Sequence, residues 1–236
     1  MNDIKPKENK SRYVRALTVL SVAVIFVMIA LCVYFVSKYN LTLSNIGTVA
    51  EYISGGTLTL VLLFIGLNIL RSFTMVFPPA VLYVLAGMVF GDFFTAVAVN
   101  AIASVFSLFL PYYIGKITGI ETVSYLREKF SSVRKLDDFA GSNSFAVVFF
   151  VKVGLIPSDL SSLIFGAMNI HFGTYFLSSN LAMLVLNLLW TLLGVKGDFS
   201  DPRSYIYALP AVVFAVLAVA ALGLYAKKKN KESIKK

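Results

Sequence analysis

Residues 71–91, RSFTMVFPPAVLYVLAGMVFG, and residues 152–170, KVGLIPSDLSSLIFGAMNI, decide the fold. Each opens on a cation, Arg71 or Lys152, set in a long apolar stretch, and each then meets proline: Pro78 and Pro79 in the first, Pro157 in the second. Pro78 to Gly87 and Pro157 to Gly166 are the same nine-residue interval. A charge at bilayer depth costs about 2.5–3.5 kcal/mol on insertion scales, so it is retained where it faces a cavity, a partner or a ligand. Proline removes a backbone donor and turns the residue before it away from helix. Two cations beside two helix breakers predict a polar site embedded in a membrane.

The rest of the chain agrees with that setting. Of 236 residues 58% are hydrophobic and only 14% charged, with mean hydropathy +0.81; a soluble domain carries roughly 25% charge. Apolar runs free of charge, long enough for the ~20 residues a crossing needs, occur at 16–36, 93–115, 171–194 and 205–226. The first follows a basic start (Lys5, Lys7, Lys10, Arg12, Arg15). Its apolar core exceeds the 7–15 residues of a signal peptide and no small-x-small cleavage pattern ends it, so it reads as a retained anchor over 16–37. The single cysteine, Cys32, excludes an internal disulfide and a cysteine zinc cluster.

Positive residues stay on the cytoplasmic side of a membrane. Of the 21 Lys and Arg, five precede Ala16, five lie between Lys116 and Lys135, and six follow Ala226, whereas 38–56 and 195–204 hold only Lys38, Lys196 and Arg203. Both termini are therefore expected inside, flanked by a basic segment at 1–15 and a basic tail at 227–236. With that orientation the stretch 57–91 enters and leaves on the outer side, and 143–170 on the cytoplasmic side. The fold class expected is an all-α integral membrane protein of about four spanning helices, two inverted re-entrant helical hairpins and a cytoplasmic amphipathic helix at 120–141. Its core, 57–194, consists of two hairpin-plus-helix repeats, 57–115 and 143–194, and broken segments of such repeats meet at the site in many transporters.

The expected substrate-binding residues follow from this plan. Arg71 and Lys152 supply charge from the two hairpins, with a structural ion pair to Asp159 as the alternative role. Asp159, two residues after Pro157, either caps the second arm or titrates with a proton. Asn100, Ser104 and Ser107 fall at i, i+4 and i+7 on one helix face, and Asn180, Asn187 and Thr191 form a stripe on the later helix. These stripes either line a cavity or bond neighbouring helices. Pro78, Pro79, Gly87, Gly91, Pro157 and Gly166 mark the hairpin turns, and the GxxxG pairs Gly87/Gly91 and Gly115/Gly119 suit close packing, within one chain or in a homo-oligomer. The lone His171 begins a span. No residue cluster has metal-ligand spacing and no nucleophile motif is present, so neither a metal, a cofactor nor an enzymatic reaction is expected.

The segment RSFTMVFPPAVLYVLAGMVFGDFFTAVAVNAIASVFSLFLPYYIGKITG, with its Arg before a Pro-rich turn, Ala-Gly and Phe-Gly pairs, polar spanning helix and closing Tyr-x-Ile-Gly-Lys, resembles the DedA superfamily, in its VTT-domain or SNARE-associated Golgi protein branch. The segment VKVGLIPSDLSSLIFGAMNI is similar to the second hairpin of that branch, with Lys152 where the family usually has Arg. What the resemblance implies is a flippase or scramblase for phospholipids or polyprenyl phosphates, with anionic or phosphate-bearing membrane lipids as partners. A membrane scaffold or a proton-coupled solute transporter are the alternatives. Nucleic acid is not an expected partner, because the +9 charge is split among membrane flanks. The compact chain suggests a bacterial plasma membrane.

Overall fold

The computed structural model describes residues 23, 26, 27, 30, 56–73, 77–119, 144–154, 157–198 and 201–234. Seven α-helices are described as elements: α1 Gly56–Ser72, α2 Pro79–Phe90, α3 Phe93–Thr118, α4 Ser144–Gly154, α5 Ser158–Ala167, α6 Phe172–Lys196 and α7 Leu209–Ile234. A 3-10 turn, Pro202–Ala208, precedes α7. Three stretches among the described residues are long and apolar enough to cross a membrane: Phe93–Thr118, Phe172–Lys196 and Pro202–Ala221. The anchor expected at 16–37 and the surface helix expected at 120–141 lie outside the described residues, apart from four helical positions in the first.

Both breaks fall where the prolines predict. Pro78 (φ −65°, ψ 131°) precedes α2, whose first residue is Pro79, and Pro157 (φ −47°, ψ 132°) precedes α5. Proline at the first helical position costs nothing, since that N–H has no partner within the helix. Each broken pair thus consists of a first arm (α1, α4) and a second arm (α2, α5). Each second arm ends in a left-handed residue, Gly91 (φ 65°) after α2 and Asn169 (φ 56°) after α5, a conformation that Gly adopts freely and Asn tolerates. Asp92 then caps α3, accepting from the Thr95 N–H at 2.7 Å. That backbone hydrogen bond holds the Asp92 carboxyl below the usual carboxylate range.

The arms are exchanged between the two halves. First arms pack on the long helix of their own half, α1 on α3 and α4 on α6; α2 packs strongly on α6, and α5 on α3. Glycine makes both crossings. A Cβ on Gly87 would lie 2.7 Å from the Thr191 carbonyl oxygen, and one on Gly194 would strike the Val84 carbonyl; Gly115 and Gly166 stand in the same way against Leu163 and Tyr112. Residues 78, 87 and 115 recur, shifted by 79, as 157, 166 and 194. The GxxxG pairs therefore divide their work: Gly87 and Gly115 pack, whereas Gly91 and Gly119 (φ 69°) end helices in open space.

The last span differs from the run expected at 205–226. Residues 202–208 wind as a 3-10 turn because Pro210 has no N–H to reach the Ile206 carbonyl, which instead accepts from Leu209. The α-helix beyond continues through the expected basic tail as far as Ile234.

Gly115→Ala is expected to lower the midpoint of thermal unfolding in detergent, with about 1–3 kcal/mol lost to overpacking. Gly66→Ala, mid-helix at a position with nothing within 4 Å, is expected to leave it unchanged or raise it, with up to about 1 kcal/mol of stability gained. Equal midpoints for the two variants would contradict the crossing.

Candidate functional site

Arg71 lies in the last turn of α1 and Lys152 in the last turn of α4, where cations favour the exposed carbonyls of a helix C-terminus. Asp159 lies in the first turn of α5, the end that favours an anion. All three are buried, at 2%, 3% and 1% exposure, so their partners decide whether they are tolerated.

Arg71 reaches across to the other half. Its Nη1 donates to Asp159 Oδ2 at 2.6 Å and its Nη2 to Oδ1 at 3.3 Å, a two-pronged grip suited to the planar guanidinium. Nη1 also donates to the Phe77 carbonyl at 3.1 Å, fixing the approach to Pro78. Lys152 turns to the start of α5, where Nζ donates to the Ser158 carbonyl at 2.6 Å and to the Ser158 and Ser162 hydroxyls. It also stands 5.5 Å from the centre of the Tyr175 ring, within cation–π range. Neighbouring residues of α5 therefore receive the two cations. No side chain caps α5; the Asp159 carboxylate is engaged by Arg71 instead.

A cavity of about 530 Å³ opens beside these groups, bordered by Pro78, Pro79 and Tyr83 from the first break, Lys152, Pro157 and Ser158 from the second, Trp190 on α6, and Ala211 and Ala215 on α7. Lys152 is the charged residue of this lining. Arg71 and Asp159, bonded to each other, stand outside the lining. Gly87, Gly91 and Gly166 do not reach it.

Asn100, Ser104 and Asn187 lie elsewhere, on the seam between α3 and α6. Asn100 donates to Thr191 Oγ1 at 3.2 Å, Thr191 to Asn187 Oδ1 at 2.8 Å, and Asn187 to the Val97 carbonyl at 2.8 Å. Ser104 shares a 3.0 Å hydrogen bond with the Tyr83 hydroxyl. The Thr191–Asn187 bond lies within α6, and the others join helices. A second cleft of about 400 Å³, bordered by Ser104, Asn180 and Asn187, follows the same seam. Pro111 leaves the Ser107 carbonyl without its helical donor, and the Ser72 hydroxyl takes that place at 3.2 Å. Asn180 donates to the Phe176 carbonyl of its own helix at 2.8 Å.

Sequence reasoning missed several residues of the site. Ser158 and Ser162 are one helical turn apart in SDLSS and so share a face, which was a readable signal. Tyr175, Trp190 and the α7 alanines carry no local mark, because only the packing brings Tyr175 beside Lys152 and the others to the cavity.

Broken helices that carry buried charges, set among helices long and apolar enough to cross a membrane, define an integral membrane protein with an internal polar site. The VTT domain matches residues 77–196, just over half of the 236-residue chain, and the chain belongs to the VTT-domain family. Comparison with curated proteins and with solved structures returned no match.

Asn187→Leu removes both the bond to Val97 and the acceptor of Thr191. It is expected to destabilise the folded protein by about 1–2 kcal/mol, the range of hydrogen bonds between membrane helices. Asn180→Leu, which loses a bond within its own helix, costs less in the same detergent unfolding titration. The reverse order would show that the α3–α6 seam is held by other contacts.

Proposed function

We propose that this protein moves lipid headgroups between the leaflets of a membrane, and that the cavity shared by the two helix breaks is where the headgroup binds. The observation that carries the reading is that cavity: proline turns from both halves border it, and Lys152 is buried at its edge. Carbonyl and hydroxyl partners take the three N–H donors of the ammonium and hold it in place, so a phosphate-bearing headgroup meets an oriented cation and displaces a neutral hydroxyl to make a charge-assisted hydrogen bond. Arg71 and Asp159 cancel in charge and hold the two halves together, so Arg71 acts as the brace of the site and Lys152, held by neutral partners, as its cation toward the ligand. No bond is made or broken in such a transfer, and the protein is not an enzyme in this reading.

The topology that serves it places α1–α2 and α4–α5 as re-entrant hairpins entering from opposite faces, with both termini cytoplasmic, as the distribution of Lys and Arg supports. Irregular backbone at that depth is tolerated where it borders a cavity, as Pro78 and Pro157 do. A bacterial plasma membrane, with phosphate-bearing lipids as partners, is the setting of this reading.

Purified protein in lipid vesicles is expected to speed leaflet exchange of a fluorescent phospholipid. Lys152→Met is expected to slow it about ten- to hundred-fold, the worth of a hydrogen bond to a charged group, with the helical spectrum unchanged. Exchange at the wild-type rate in a folded Lys152→Met protein, or no exchange in wild type above empty vesicles, would contradict the proposal.

A further inference from the structure

The cavity's fourth wall comes from outside the matched domain. Ala211, Val212, Ala215 and Val216 of α7 face Lys152 across it, whereas the family match ends at residue 196. This helix is attached unevenly. It packs on α4, where a Cβ on Gly154 would lie 2.7 Å from Val219 Cγ2, and on the 3-10 turn; it touches α6 only lightly and makes no substantial contact with α2. In the stretch Pro202–Ala221, which joins the 3-10 turn to the first half of α7, only 11% of the most apolar window is buried, against 39% and 44% for α3 and α6.

Size then constrains what the cavity holds. At about 530 Å³ it falls within the ~300–1,000 Å³ of small-molecule pockets, large enough for a headgroup but not for a headgroup together with two full acyl chains. The chains have to leave through the wall, and the lightly packed edge is the gap between α7 and the α2–α6 pair. Trp190, half-buried, stands on α6 at that edge, and Pro79 and Ala80 of α2 stand opposite α7.

We infer that this gap is a lateral portal: an acyl chain of the bound lipid lies between α7 and α6, against Trp190, while the headgroup occupies the cavity. The inference deepens the headgroup site proposed above and rests on that reading for the identity of the ligand. The α7 residues then select by bulk. The small side chain at 215, only partly buried, leaves room for a chain, and a large one closes the portal.

Trp190 is the single tryptophan of the chain, so its fluorescence reports on the portal alone. Detergent-purified full-length protein is titrated with a phospholipid brominated along its acyl chains. Wild type is expected to show quenching that saturates near one lipid per chain. Ala215→Phe, and Val212→Phe at the more exposed edge of the same wall, are expected to lose the saturable part. Leu217→Phe, on the 62% exposed side of α7, keeps it. Because Val212 is 49% exposed, its variant keeps the test open if Ala215→Phe does not fold. Non-saturable quenching in wild type, or saturable quenching unchanged in a folded Ala215→Phe or Val212→Phe protein, would overturn the portal. Lys152→Met separates the two readings: saturable quenching retained there, with leaflet exchange also unchanged, supports a chain site at the portal and contradicts the headgroup site.

Discussion

The arrangement depends on one buried ion pair. Arg71 and Asp159 are 88 positions apart in sequence and belong to different halves of the chain, yet they meet with two N–O contacts. Neither charge is tolerable alone at their 2% and 1% exposure. Because each sits at the helix end its sign favours, the pair forms only when the C-terminus of α1 faces the N-terminus of α5. That requirement sets the two breaks side by side, and the cavity is the space their proline turns leave between them.

Glycine makes the same juxtaposition sterically available. Gly87 with Gly194, and Gly115 with Gly166, let the second arm of each half lie against the long helix of the other. The electrostatic and steric devices act at different levels of the fold: the glycines let the backbones approach, and the ion pair selects the register in which two charges are satisfied. Lys152 is left with the Ser158 carbonyl and two hydroxyls as its partners and with a cavity beside it. A cation held by neutral groups keeps more attraction for an incoming anion than one already paired with a carboxylate.

Much of this was legible in the sequence, and the physical reasons for the rest are specific. Arg71, Lys152 and the prolines announce themselves, because buried charge and helix breakers are costly in apolar stretches; the breaks and the long helices α3 and α6 follow within a few residues. The pairing of Arg71 with Asp159 was readable only as an alternative, since sequence gives no distance between residues so far apart. Asn100, Ser104 and Asn187 lie in buried stripes, but a stripe does not say whether it faces a cavity or another helix, and here each amide is used between helices. The 3-10 turn before α7 was hidden because Pro210 acts on a carbonyl four residues back, inside a run whose hydropathy is uniform. Trp190 and Ala215 had no local signature, since the exchange of arms and the docking of α7 bring them to the site.

The account stands or falls on the coupling between Arg71 and Asp159, which a double-mutant cycle measures. Unfolding free energies in detergent are compared for wild type, Arg71→Met, Asp159→Leu and the double variant. Each single change is expected to cost about 3–5 kcal/mol, because it strands a buried charge, and the double change is expected to cost far less than their sum. Additive costs would mean that the two side chains do not hold the halves together, and the shared cavity would lose its physical basis.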